Sequence, residues 1–156
     1  MTHLRLERCR EVEVPGWLEL RKALWPETAR ERHRFAMQAQ VDDPERHVAF
    51  VAYAADGAAL GFAEASLRFD HVNGTTSSPV AFLEGIFVRD PDRRRGVARE
   101  LLDAVLAWAA RRGCRELASD VELANTVGQR VHRALGFEET ERVVYFKRRV
   151  PRLEQP

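Results

Sequence analysis

Two hydrophobic periods run along this chain, and each stretch predicts an element. Residues 3–8, His3-Leu4-Arg5-Leu6-Glu7-Arg8, alternate in polarity, which suggests a first strand. Over residues 15–24, Trp17, Leu18, Leu20 and Leu24 fit one face of a helix, with Pro15 in its first turn and Pro26 ending it after Trp25. Residues 27–40 form a second helical stretch, charged around Phe35, Ala36 and Met37. The two helices and their Trp-Pro break read equally as a mobile flap and as ordinary surface helices. Residues 47–54 and 59–68 read as strands joined by the hairpin signal Ala55-Asp56-Gly57. Residues 69–79 are polar and turn-rich, hence a loop near one end of the next strand.

That strand is Phe82-Leu83-Glu84-Gly85-Ile86-Phe87-Val88, an apolar run broken afterwards by Asp90-Pro91. From Gly96 a helix carries Val97, Leu101, Val105 and Trp108 on one stripe, and Gly113 suits its C-terminal cap. Residues 114–120 read as a short strand. Residues 125–135 form a further helix with Val127, Val131, Ala134 and Leu135 on one stripe, stopped by Gly136. Residues 137–149 read as one or two closing strands, and 151–156 as a loose tail. The expectation is a single α/β domain over residues 1–150. A hairpin-rich antiparallel front runs into a β-α-β-α-β back, giving a mixed central sheet flanked by about four helices.

Composition narrows the classes. A chain of 156 residues suits one domain with a proper core. Its 25 basic and 24 acidic residues nearly cancel, so DNA or an anionic membrane surface is not indicated as a partner. Lysine occurs only at Lys22 and Lys147, a bias that genome composition explains as well as function does. Cys9 and Cys114 make no disulfide framework and read as reduced thiols. The N-terminal residues lack the apolar core of a signal peptide, and no run reaches membrane-spanning length, so a cytoplasmic location is expected.

The candidate chemistry gathers around the apolar strand. Strand, short loop and helix N-terminus present backbone N–H groups to an anion. Gly96 lets a ligand approach, and Arg93, Arg94 and Arg95 add positive charge. The same arginines read equally as a solvated corner. The segment is neither a P-loop nor a Gly-x-Gly-x-x-Gly turn. Glu84 interrupts an apolar strand, where a carboxylate is costly unless paired or open to a cleft.

Arg93-Arg94-Arg95-Gly96-Val97-Ala98 matches the Gln/Arg-x-x-Gly-x-Gly/Ala signature of the GNAT acetyltransferases. Asn125, followed by Ala134-Leu135-Gly136-Phe137, resembles their late helix and Gly-Phe exit. Leu24-Trp25-Pro26, Val72-Asn73-Gly74, Ser77-Ser78-Pro79-Val80, residues 82–88, Ala118-Ser119-Asp120 and residues 135–142 are similar to the bacterial aminoglycoside 6'-N-acetyltransferases. The resemblance covers nearly the whole chain.

It implies a GNAT-like fold whose sheet is split beside the central strand by acetyl-CoA, with no metal. Ile86, Phe87 and Val88 would pair with the pantetheine arm as an added strand, and the segment Arg94, Arg95, Gly96, Val97 and Ala98 would hold the pyrophosphate. Asn125 matches the coenzyme-contacting asparagine and is equally a helix N-cap. Trp25, Glu84, Asp120 and Glu141 match substrate positions, and the three carboxylates suit a cationic amine. His71 departs from the family, whose relatives carry tyrosine there. Glu84 or Asp120 is the implied base, and the Val88 N–H the implied oxyanion donor. His132 stands where many relatives place a tyrosine acid. Tyr145 is a weaker alternative for that acid, and it is equally open that none is needed. A homodimer paired through residues 137–149 is implied as well.

Two other readings fit the same residues. One is a GNAT enzyme acting on a polyamine, another metabolite or a peptide. The other is a non-catalytic acyl-CoA-binding sensor. Nucleic-acid binding is disfavoured by the short arginine run and the balanced charge.

Overall fold

The computed structural model describes residues 4–155. The front of the chain folds into the expected strands. Strands β1 (Arg5–Arg8), β2 (His47–Tyr53), β3 (Ala59–Arg68) and β4 (Val80–Val88) pair antiparallel in sequence order. Strand β5 (Leu117–Ala118) joins β4 in parallel, through Ala81↔Leu117 and Phe82↔Ala118. The fold is therefore the expected mixed α/β sheet with one parallel pair.

Two apolar clusters sandwich this sheet. On one face, helix α3 (Val97–Arg111) lays Val97, Leu101, Val105 and Trp108 against the sheet, all 2% exposed or less. That is the stripe its period predicts. On the other face, helix α1 (Trp17–Leu24) contributes Trp17 and Leu20, and helix α2 (Arg30–Asp42) contributes Met37. Both helices pack on the sheet and on each other, so the structure shows two packed helices rather than a separate flap. Helix α4 (Thr126–Ala134) follows β5.

Element bounds differ from the sequence reading where short-range signals compete. Helix α1 begins at Trp17 because Gly16 takes a left-handed φ of 84°. Helix α2 begins at Arg30, after the turn in which the Thr28 N–H bonds the Trp25 carbonyl. His3 lies outside the described residues. The expected 114–120 strand is regular only over Leu117–Ala118.

Residues 137–149 are the main correction. They form no strand within the chain, and Val144, Tyr145 and Phe146 are 76%, 82% and 92% exposed. Their β-forming composition is real, but no edge of this chain's sheet receives them. Residues 151–155 are likewise exposed and without regular structure.

Candidate functional site

A cleft opens where β4 and β5 part. Below, the strands pair at Phe82 and Ala118; above, β4 continues to Val88 with no strand on that side. The Arg89 N–H bonds the Leu60 carbonyl of β3. Because successive N–H groups alternate sides, those of Val88 and Ile86 point away from β3 and into the cleft. An extended ligand laid there meets an unpaired strand edge.

A break in register sits at the centre of this edge. Glu64 pairs with Gly85, but Ala65 pairs with Leu83, so Glu84 is the extra residue of a β-bulge. The bulge turns Glu84 out of an otherwise buried strand, leaving its side chain 37% exposed. Its Oε1 accepts from Ser66 Oγ at 2.6 Å and from Arg68 Nη2 at 3.1 Å. The Arg68 guanidinium also lies 3.7 Å from the Phe82 ring centroid. This explains how a carboxylate is tolerated there. Ser66, Arg68 and Phe82 carry no motif that sequence reading would single out; only strand register brings them to Glu84.

The anion cradle lies at the far end of β4. Gly96 caps α3 at φ 80°, no side chain satisfies the first N–H groups of that helix, and a Cβ on Gly96 would meet nothing within 4 Å. Arg94 is left-handed too, at φ 63°, a conformation that costs a non-glycine residue energy. The two positive-φ residues turn the backbone sharply into α3, and among the described residues no turn or cap hydrogen bond is made by the N–H groups of Arg94, Arg95, Gly96, Val97 and Ala98. That arrangement fits a pyrophosphate.

The opposite wall comes from β5, α4 and the segments after it. Ser119 Oγ donates to the Leu83 carbonyl at 3.3 Å, and the residues that follow these two, Asp120 and Glu84, both line the cleft. Asp120 is exposed, and among the described residues nothing bonds its carboxylate. The same Ser119 Oγ lies 2.8 Å from His132 Nε2, while His132 Nδ1 lies 2.8 Å from the Gly128 carbonyl. A carbonyl only accepts, so Nδ1 carries a proton and Nε2 faces the serine hydroxyl. Asn125 Oδ1 accepts from the Gly128 N–H at 2.9 Å, an N-cap, and the residue also lines the cleft. Val127 and Val131 of the predicted stripe are 57% and 40% exposed, so that face of α4 lines the cleft rather than the core.

The substrate candidates line the same cleft. Trp25 lines it, half-buried, with its ring against Gly85. His71 and Glu141 are exposed on segments bounding the same cleft, as is Tyr145. The 69–79 loop carrying His71 is tied down by Glu116, whose Oε1 accepts from the Thr76 N–H at 3.0 Å and from Ser77 Oγ. These bonds, the serine's first, hold the Glu116 carboxyl below its ordinary range. Neither cysteine lines the cleft. Burial, chiefly, pushes both thiols up, Cys9 strongly.

Comparison with known proteins agrees with this geometry. The model of the Acetyltransferase (GNAT) family matches residues 14–137. The chain is 51% identical over 144 residues to an aminoglycoside N(6')-acetyltransferase type 1 of Salmonella typhimurium, covering 92% of this chain and 98% of that one. It is 50% identical over 140 residues to a protein of that description from Serratia marcescens, covering 90% and 95%. The solved structure of AAC(6')-Iy with the bisubstrate analog CoA-S-monomethyl-acetylneamine superposes with a TM-score of 0.89 at 46% identity, covering 96% of this chain and all, 100%, of that one. A bulged, splayed central strand, a glycine-opened helix and these likenesses lead to one conclusion: the chain belongs to the acetyltransferase (GNAT) family.

Proposed function

We propose that this protein transfers the acetyl group of acetyl-CoA to the 6'-amine of aminoglycosides. The observation that carries the reading is the meeting of an anion cradle, an unpaired strand edge and two carboxylates, Glu84 and Asp120, along one cleft. Relatives similar over nearly their whole length bear that activity in their names, and one relative's structure holds CoA joined to an aminoglycoside fragment.

Acetyl-CoA fits along β4. The backbone of Ile86, Phe87 and Val88 offers the pantetheine arm a strand edge. The N–H groups of Arg94, Arg95, Gly96, Val97 and Ala98 receive the pyrophosphate, and Asn125 bounds the arm from α4. The thioester then lies near the bulge, with the Val88 N–H directed at its carbonyl oxygen. A donor in that place stabilises the oxyanion that forms when the amine attacks.

The acidic side of the cleft takes the polycation. Glu84, with Oε1 engaged by Ser66 and Arg68, presents Oε2 to an ammonium. Asp120, without a partner, takes the proton that the amine loses, directly or through one water. Trp25 packs against the sugar ring, and His71 and Glu141 bound the outer rings. His132 serves as the acid for the departing thiolate when Nε2 is protonated as well as Nδ1: the Nε2 proton passes to Ser119 Oγ as the serine hydroxyl gives its own to the sulfur. With no cysteine in the cleft and both thiols held protonated, transfer goes directly from thioester to amine.

Location and assembly join this reading. No helix among the described residues is long and apolar enough to cross a membrane. Because acetyl-CoA is a cytoplasmic metabolite, the reading includes a cytoplasmic location. The exposed apolar run from Val143 to Phe146 is covered by a second copy in a homodimer. A monomer by light scattering at micromolar concentration would remove the dimer. CoA release with paired drugs, with and without a free 6'-amine, beside spermidine and a lysine-rich peptide, tests the function. Turnover confined to drugs bearing the 6'-amine is expected. Activity on spermidine or peptide alone would move the enzyme to another amine.

A further inference from the structure

Trp25 is held by a buried polar cluster that acyl transfer does not use. Glu64, on β3, is 3% exposed, and its carboxylate takes the Arg21 guanidinium with both oxygens. Trp17 Nε1 donates to the same carboxylate at 2.9 Å. Arg21 Nε donates to His33 Nδ1 at 3.3 Å, and His33 Nε2 lies 3.2 Å from the Trp25 carbonyl oxygen. Such a cluster is costly to bury unless its donors and acceptors meet. Here they do, and His33 is fully buried.

These partners fix the tautomer of His33. The Arg21 Nε–H only donates, so Nδ1 accepts; the Trp25 carbonyl only accepts, so Nε2 carries the proton. The neutral ring thereby links α1 to the chain at its end. The Trp25 ring is held from the same side. The Arg21 guanidinium lies 4.8 Å from its centroid, with Phe62 edge-on at 5.8 Å and the His33 ring at 6.5 Å. Gly85 lies against the indole as well, since a Cβ there would come within 2.6 Å of it. The indole is thus wedged beside the bulge that carries Glu84.

We propose that His33 is a positioning residue for the amine substrate: it ties the Trp25 backbone to the buried Arg21–Glu64 pair and so sets the aromatic wall beside Glu84. This deepens the reading of Trp25 as a substrate contact and rests on it. Two variants separate positioning from mere packing. His33→Gln retains an acceptor for Arg21 and a donor for Trp25; His33→Leu fills the space with neither.

The first readout is acrylamide quenching of tryptophan fluorescence without any ligand. Trp17 and Trp108 are 0% and 1% exposed, whereas Trp25 is half-buried, so quenching reports Trp25. The second is steady-state kinetics. His33→Leu is expected to quench more readily and to raise the aminoglycoside KM up to about tenfold, the worth of one lost buried hydrogen bond. Its acetyl-CoA KM should stay at the wild-type value, and His33→Gln should restore both readouts. A folded His33→Leu with wild-type quenching and KM would overturn the proposal, as would His33→Gln failing equally. If His33→Leu does not fold, His33→Asn, too short to span both partners, takes its place with the same expectations. Quenching needs no amine, so an absence of aminoglycoside turnover in the wild type would sink the functional reading while the His33–Trp25 link is still decided.

Discussion

Arg68 and Glu84 form a half-exposed ion pair, 3.1 Å long, at the β-bulge. An ion pair this exposed contributes about 0–1 kcal/mol to stability. Its larger consequence is for binding, because the guanidinium on Oε1 offsets the negative charge that draws an incoming ammonium to the free Oε2. Arg68→Gln is therefore expected to leave the melting temperature nearly unchanged and to lower the aminoglycoside KM several-fold. The acetyl-CoA KM should not move. A raised aminoglycoside KM would mean that Arg68 orients Glu84 rather than competing for it.

The two carboxylates of the cleft should fail differently. Glu84 is engaged by Ser66 and Arg68, whereas Asp120 is without a partner among the described residues. Asp120→Asn should lower kcat by roughly 10²–10⁴, the usual worth of a positioned base. Glu84→Gln should act chiefly on the aminoglycoside KM. The opposite pattern in kcat and aminoglycoside KM would exchange the two roles.

The anion cradle depends on Gly96. Its φ of 80° places it in the left-handed region, and the space a Cβ would enter is open. Gly96→Val should cost about 1–2 kcal/mol from backbone conformation and raise the acetyl-CoA KM more than the aminoglycoside KM. Thermal melts and the two KM values check this. An unchanged acetyl-CoA KM would place the pyrophosphate elsewhere.

Much of this site was legible in the sequence, for reasons particular residues show. The stripe of α3 lies buried as its period dictates, and the Gly96 turn follows from a local signal. Glu84 stood out because a carboxylate in an apolar strand needs an explanation. What escaped sequence reading depends on contacts between distant strands and helices. Glu64 was simply one residue of the strand read over 59–68, yet Arg21 and Trp17 of α1 engage its buried carboxylate. The bulge is a property of β3–β4 register and has no local signature. Residues 137–149 read as closing strands because composition reports β-propensity, while an edge to pair with is a matter of topology.

The 69–79 loop should loosen in acid. Hydrogen bonds from Ser77 and Thr76 favour the charged form of Glu116, so its folded pKa lies below the unfolded one. The resulting stabilisation is complete above the unfolded pKa and is lost as pH falls through the lowered folded value. Melting temperatures of the wild type and Glu116→Gln should thus differ at neutral pH and converge in acid. A difference that persists unchanged at low pH would contradict the assignment.

The regiochemistry of the product tests the central claim most directly. An aminoglycoside with several free amines, turned over with acetyl-CoA and analysed by NMR, reports which nitrogen carries the acetyl group. The account predicts a single product acetylated at the 6'-amine. Acetylation at another ring position, or on no aminoglycoside amine at all, would contradict it.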